Sequence, residues 1–243
     1  MKFKILVLSI FCSQLVFSNS QLDSLFKEAN RQYQDEMYAE SVENYLTILD
    51  SNFTSYELYF NLANSYYQFG KIPLSIYYYE KALEFQNGED AKNNLLLAQS
   101  RITLIDPIPQ LFYVSWWNTI SRLLSKKQWA MFLIIMTWLT SIILLFFIKS
   151  RKRWVFNSLF SGILLSAMIA GQMYTNNILD NQKFGIVMKQ AKLFDDSKNY
   201  NSKGSVDRGN KVTILKKSEN LIWIRLQDGE KAWIESSLVK ILD

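Results

Sequence analysis

Two uncharged apolar spans, separated by five residues of which four are cationic, constrain this chain more than anything else in it. The first runs from Trp129 to Ile148 (WAMFLIIMTWLTSIILLFFI) and the second from Trp154 to about Tyr174. Twenty residues at about 1.5 Å each cover about 30 Å, the thickness of a bilayer's hydrocarbon core. The loop 149–153 carries Lys149, Arg151, Lys152 and Arg153, which predicts that it stays in the cytoplasm. A helical hairpin returns the chain to the side it left. The parts before and after it, residues 21–128 and 175–243, are therefore predicted to share one compartment.

The N-terminus indicates which one. Lys2 and Lys4 precede an apolar run from Ile5 to Phe17, followed by Ser18 and Ser20. Residues 1–20 read as a secretory leader cleaved after Ser20; the run is short for a third membrane span. Phe11, where a lipidated cysteine needs a small neighbour, argues against a lipid on Cys12. Arg122, Lys126 and Lys127 flank the opposite end of the first span, so charge alone orients the hairpin poorly and the leader decides. The expectation is a two-span protein of a bacterial inner membrane with both soluble parts in the periplasm.

Apart from Cys12 the chain has no cysteine, and it has no histidine. Zinc sites of the usual kinds, disulfides, thiol redox chemistry and histidine-dependent triads are thereby excluded. There is no glycine-rich phosphate loop and no isolated carboxylate pair, so no enzyme, metal or cofactor is expected. The net charge of +5 conceals a partition. Residues 21–106 carry −7, residues 107–154 carry +7 without a single acid, and residues 184–243 carry +3. The positive charge flanks membrane, which points to lipid and away from nucleic acid.

Residues 22–55 and 56–89 align without a gap at a period of 34. Ala29 matches Ala63, Asn30 matches Asn64, Tyr33 matches Tyr67, Ser41 matches Ser75 and Tyr45 matches Tyr79. The second copy places Tyr59, Leu62, Ala63, Tyr66, Gly70, Ser75, Tyr79 and Ala82 where the tetratricopeptide (TPR) repeat family has its signature, and the segment resembles that family. Departures are Ser75 for the usual alanine, Asn87 where a proline commonly closes the repeat, and Glu36 for the turn glycine of the first copy. The period and resemblance imply all-α TPR helical repeats over 21–106, with residues 91–104 as a closing helix over two repeats.

Such repeats present a concave groove from the first helix of each pair. Here Asn30, Tyr33, Gln34, Asn61, Asn64, Tyr67 and Gln68 are expected on it. Two roles are open to the asparagines: binding the backbone of an extended peptide, for which an amide offers donor and acceptor, or capping and packing the repeat itself. The family's clamp for a free carboxylate needs basic residues, and Phe26, Ala91 and Leu95 stand in their places. Of the consecutive Tyr77, Tyr78 and Tyr79, Tyr79 is expected in the core, since at 100° per residue all three cannot face it.

Pro107 and Pro109 end the repeats. In the elbow 107–128, Phe112, Trp116, Ile120 and Leu123 recur at helical spacing, which suits either an interfacial helix or a linker packed on the repeats. Within the second span Ser158, Gly162, Ser166 and Ala170 recur every four residues, a stripe that lets a helix approach closely. Its partner is either the chain's own first span or another protein's.

After a linker, 175–183, the alternation from Phe184 onward has period two. IVM, KVTIL, LIWIRL, KAWI and LVKIL read as five short strands, with Asp228-Gly229 as a two-residue hairpin and Arg208-Gly209-Asn210 as a second tight turn. Gly209, Val212, Trp223, Arg225, Asp228, Gly229, Trp233 and Ile234 resemble bacterial SH3 domains and imply a C-terminal all-β SH3-like barrel over 184–243. Ala232 replaces a usual glycine, and the family's loop is absent around residues 195–198. Trp223 and Trp233 are either core or a surface for ligand, with peptidoglycan as the ligand that the resemblance implies.

The order of leader, TPR pair, tryptophan-rich elbow, two-helix transmembrane hairpin and SH3-like domain resembles the BatE proteins, an aerotolerance-associated bacterial family. That resemblance implies a non-catalytic membrane scaffold with protein partners, among them von Willebrand-type membrane proteins of the same complex. The alternative is a cell-wall sensor whose SH3-like domain binds peptidoglycan.

Overall fold

In the computed structural model the described residues are 21–105, 112, 116–117, 119–120, 123–150, 153–195 and 202–242. The leader and most of the elbow lie outside them. The chain divides into two compact units, one formed by Met1–Pro107 with Lys183–Asp243 and the other by Ile108–Gln182.

The first unit begins with five helices: α1 (residues 21–34), α2 (Tyr38–Asp50), α3 (Tyr56–Gln68), α4 (Ile72–Phe85) and α5 (Glu89–Gln99). Three-residue turns join α1 to α2 and α3 to α4, and they are built alike. Met37 N–H donates to Gln32 O, and 34 residues on Lys71 N–H donates to Tyr66 O. Both turns need a left-handed residue, filled by Glu36 (φ 61°) and Gly70 (φ 75°). Ser55 caps α3, its Oγ accepting from Leu58 N–H at 3.1 Å. Apolar and small residues at three- and four-residue spacing then fill one core: Val42, Tyr45 and Ile48 from α2, Leu58, Leu62 and Ala63 from α3, Ile76, Tyr79 and Ala82 from α4, and Ala91 and Ala98 from α5. The closing helix stops at Gln99, earlier than expected, because Ile105 beyond it packs on the sheet.

The sheet has seven antiparallel strands in the order β3-β2-β6-β5-β4-β1-β7. They are β1 (Lys183–Val187), β2 (Ala191–Phe194), β3 (Ser202–Val206), β4 (Lys211–Lys217), β5 (Leu221–Arg225), β6 (Lys231–Glu235) and β7 (Val239–Leu242). The ends of the sheet are β3 and β7; among the described residues no ladder joins them. Two strands exceed the sequence expectation of five. β2 is only four residues long, and β3 (SKGSV) is exposed at every position but Val206, so neither has the apolar alternation that marks a strand. The Asp228-Gly229 hairpin is a three-residue turn instead of a two-residue one. Leu226 N–H donates to Glu230 O, Gly229 N–H donates to Leu226 O, and Gly229 takes φ 84°.

Helices and sheet share a seam. Ile186 and Leu242 enter the helical core, with Phe184 and Met188 packed beside them. Lys211 pairs with Glu80 at 2.7 Å, and Tyr77 Oη donates to Ile241 O. The Lys240 ammonium donates to Tyr78 Oη and lies over the rings of Tyr77 and Tyr78. Tyr77, Tyr78 and Tyr79 are consequently all buried. The expectation that only one of them would be covered fails because α4 has helices on one side and the sheet on the other. Asn210, 1% exposed, completes the seam. Its Nδ2 donates to Thr103 O and Asp207 O, and its Oδ1 accepts from Ile105 N–H. Beside it Gly209 (φ 86°) sits so near the helices that a Cβ there would lie 2.4 Å from Ile102 Cδ1.

The second unit contains two long apolar helices, Lys126–Ser150 and Arg153–Asp180. Stretches in both, Lys127–Phe146 and Asn157–Thr175, are long and apolar enough to cross a membrane. None of the first stretch and 11% of the second is buried inside the protein, unlike the core helix of a soluble fold. The helices reach to Ser150 and from Arg153, into the expected loop 149–153, and residues 175–180, read as linker, continue the second helix.

Candidate functional site

The seven residues expected on the helical groove are half-buried or exposed, none of them in the core. Asn30, Tyr33, Gln34, Asn61 and Asn64 come together with Tyr45 around one concavity of about 330 Å³. Tyr67 and Gln68 lie outside it; Tyr67 instead supports the Arg101 guanidinium, 5.5 Å from its ring.

Two hydrogen-bonded triads set the asparagines, one per repeat. Asn30 Oδ1 accepts from Tyr45 Oη and from Asn61 Nδ2, the latter at 3.0 Å. Asn64 Oδ1 likewise accepts from Tyr79 Oη and from Asn94 Nδ2, at 2.9 Å. Each carbonyl is used twice within the fold, so the packing role is real. Each Nδ2 of Asn30 and Asn64 makes no hydrogen bond among the described residues and is left as a donor for something else. Burial pushes the Tyr45 hydroxyl up to about 12 and the Tyr79 hydroxyl up as well, which keeps both as neutral donors to these carbonyls.

Asn94 was not among the expected residues. A step of 34 from Asn61 lands on Leu95, which is buried, because the turn into α5 is short and shifts that helix by one position. The second triad's third member therefore stands off the exact 34-residue period. Phe26, packed edge-on against Tyr45, and the buried Ala91 and Leu95 bring no charge to the groove.

On the sheet, Trp223 and Trp233 face each other in register, their ring centroids 5.3 Å apart. Both are half-buried, while the alternate residues Ile222, Ile224, Ala232 and Ile234 fill the sheet's core. The tryptophans thus lie on the opposite face. In the second unit a Cβ on Gly162 would lie 2.2 Å from Thr140 Cγ2, so the small-residue stripe faces the chain's own first span. Ser158, Gly162 and Ser166 are half-buried there, but Ala170 is exposed and Ile169 and Gln172 are buried in its stead. A spacing of four advances about 400° on the helix, so the stripe drifts about 40° per step off the contact line.

No family model matches the chain, and no curated protein matches it.

Proposed function

We propose that this chain is a non-catalytic, membrane-anchored scaffold that holds an extended segment of a protein partner on the concave face of its helices. In this reading the helical pairs are TPR units, the sheet is an SH3-like domain, the hairpin spans a bacterial inner membrane and both soluble parts are periplasmic. The arrangement is that of a BatE-like aerotolerance-associated protein, whose partners would include von Willebrand-type membrane proteins. The observation that carries it is the pair of triads: Asn30 and Asn64 are fixed through their carbonyls, and their free amide donors are presented at a concavity. An amide already oriented pays little to bind a peptide carbonyl.

The test is cross-linking in native membranes with a photoreactive residue at Gln34, followed by mass spectrometry. A partner captured by the wild type and lost in Asn30→Ala/Asn64→Ala supports the reading; capture that ignores the asparagines sinks it. A reporter fused after Asp243 checks topology, and cytoplasmic activity there would overturn the periplasmic placement.

A second reading rests on the Trp223–Trp233 pair, an aromatic surface on the face of the sheet away from its core, which suits a cell-wall sugar or peptide. Retention on purified sacculi that disappears in Trp223→Ala/Trp233→Ala would favour it. Point variants are needed, because deleting 184–243 would uncover Tyr77 and Tyr78.

A further inference from the structure

The seam between helices and sheet opens into two adjoining clefts that share Met188, Lys189 and Arg208. One, of about 700 Å³, is closed on the helical side by Arg101 and residues up to Thr103; the other, of about 420 Å³, by Lys71 and Pro73. Four cations therefore ring this seam, Lys71, Arg101, Lys189 and Arg208, and Asp207 is the one carboxylate in either lining.

Residues 21–106 carry −7, and three of the four other basic residues there are paired locally: Arg31 with Glu28 and Asp35, Lys81 with Glu84, Lys92 with Glu89. On the sheet Lys203 pairs with Glu230 and Lys211 with Glu80. Lys71, Arg101, Lys189 and Arg208 have no carboxylate within ion-pair distance among the described residues. Lys71 and Arg101 lie over the rings of Phe69 and Tyr67 instead. A ring of unneutralised positive charge around a concave surface raises the local concentration of anions.

Arg101 also connects the cleft to the groove. Tyr67, beneath its guanidinium, stands one turn along α3 from Asn64, about 4.5 Å of helix. Asn94 of the second triad lies on α5, and Arg101 stands just past that helix, two residues beyond its last residue Gln99. Tyr67 thus stands between Asn64, which lines the concavity, and Arg101, which lines the seam.

We infer that the seam clefts take acidic side chains of the same extended segment whose backbone lies on the asparagines. The partner segment is then of defined chemistry: extended, with glutamates or aspartates that reach Arg101, Lys189, Arg208 and Lys71. This rests on the groove reading above and adds to it the contribution of the sheet, which makes helices and sheet one composite binding surface. Arginine engages carboxylates bidentately, which gives the acidic end direction as well as charge.

The experiment uses the full chain in nanodiscs of zwitterionic lipid and measures fluorescence anisotropy of labelled Glu-Ala, Gln-Ala and Lys-Ala alternating peptides. The Glu-Ala peptide binds at least tenfold more tightly than the Gln-Ala peptide, and the preference collapses between about 0.1 M and about 1 M salt, where the screening length falls from about 10 Å to about 3 Å. Arg101→Glu/Arg208→Glu removes the preference and leaves Gln-Ala binding in place, whereas Asn30→Ala/Asn64→Ala weakens both peptides. If Gln-Ala binds through the asparagines and Glu-Ala gains nothing, the inference fails and the groove reading survives. If Glu-Ala binds irrespective of the asparagines, or no peptide binds, both fail. Capture of phosphatidylglycerol vesicles by Arg101, Lys189 and Arg208, with no peptide displaced, would assign the seam to lipid and overturn the inference.

Discussion

Glu36 shows how a single residue is tolerated against its own conformational preference. The turn between α1 and α2 needs the left-handed region, which costs an L-residue about 1–2 kcal/mol and glycine almost nothing. The second repeat supplies Gly70 there, with nothing within 4 Å of where its Cβ would lie, so the difference between the two turns is conformational. Glu36→Gly is expected to raise stability by about 1 kcal/mol, and Gly70→Ala to lower it by a similar amount, measured by denaturant unfolding of the detergent-solubilised chain. Equal and opposite shifts would confirm that the turns are one device used twice. The buried tyrosines supply a pH-dependent counterpart. Tyr45, Tyr78 and Tyr79 all hold their protons above the ordinary tyrosine range because burial penalises the phenolate. The unfolded chain releases those protons near pH 10 while the folded chain retains them, Tyr45 until about 12. Their stabilisation is whole below pH 10 and falls as pH rises, by up to about 1.4 kcal/mol per pH unit for each. Absorbance at tyrosinate wavelengths should therefore show a class of tyrosines that ionises only with unfolding; smooth titration of all of them near pH 10 would contradict the burial.

At the scale of elements, strong periodicity was readable and weak periodicity was not. The 34-residue period locates α1 to α4, because Ala29/Ala63 and Tyr45/Tyr79 fall on matched core places that only paired helices bury. The apolar spans were equally plain. β3 was invisible, since four of its five residues face solvent and the strand exists through its pairing with β2 alone. Tyr77 and Tyr78 are buried against expectation for the converse reason: a helix with two covered sides has no single apolar stripe. In the candidate site, Asn30, Tyr33, Gln34, Asn61 and Asn64 line one concavity while Tyr67 and Gln68 lie outside it, and Asn94 escaped because α5 is one residue out of period. The hairpin contact offers a direct test. A Cβ on Gly162 would be 3.5 Å from Thr140 Cβ, inside the range that a disulfide spans. Thr140→Cys/Gly162→Cys, in a chain whose one native cysteine is Cys12, should cross-link on oxidation in membranes and alter its gel mobility. A pair at Thr140 and Ala170 should not, because Ala170 has drifted off the contact line.

For the whole molecule, the seam changes what counts as a folding unit. Sequence composition separates an acidic helical segment from a basic C-terminal one, and reads them as independent domains joined by a membrane hairpin. The charges that divide them are also what joins them, through Glu80 with Lys211, and the apolar side chains of Ile186 and Leu242 complete a core that the helices leave open. Nothing local in either segment signals this, since a surface that needs a distant partner has the same pattern as one that needs none. The consequence is cooperative. Tyr77 and Tyr78 take Ile241 and Lys240 of the sheet as partners, so losing the sheet removes part of the cover of both rings. Helices and sheet are expected to unfold in one transition, with far-UV ellipticity and Trp223/Trp233 fluorescence changing together. Gly209→Val should break that coincidence. The side chain would meet Ile102 and Ile76 while the backbone holds φ 86°, so the sheet would part from the helices first and the tryptophan signal would move to lower denaturant than the helical one. Coincident transitions in both proteins, shifted equally, would mean that Gly209 matters only to its own turn; separate transitions in the wild type would show that the seam couples nothing.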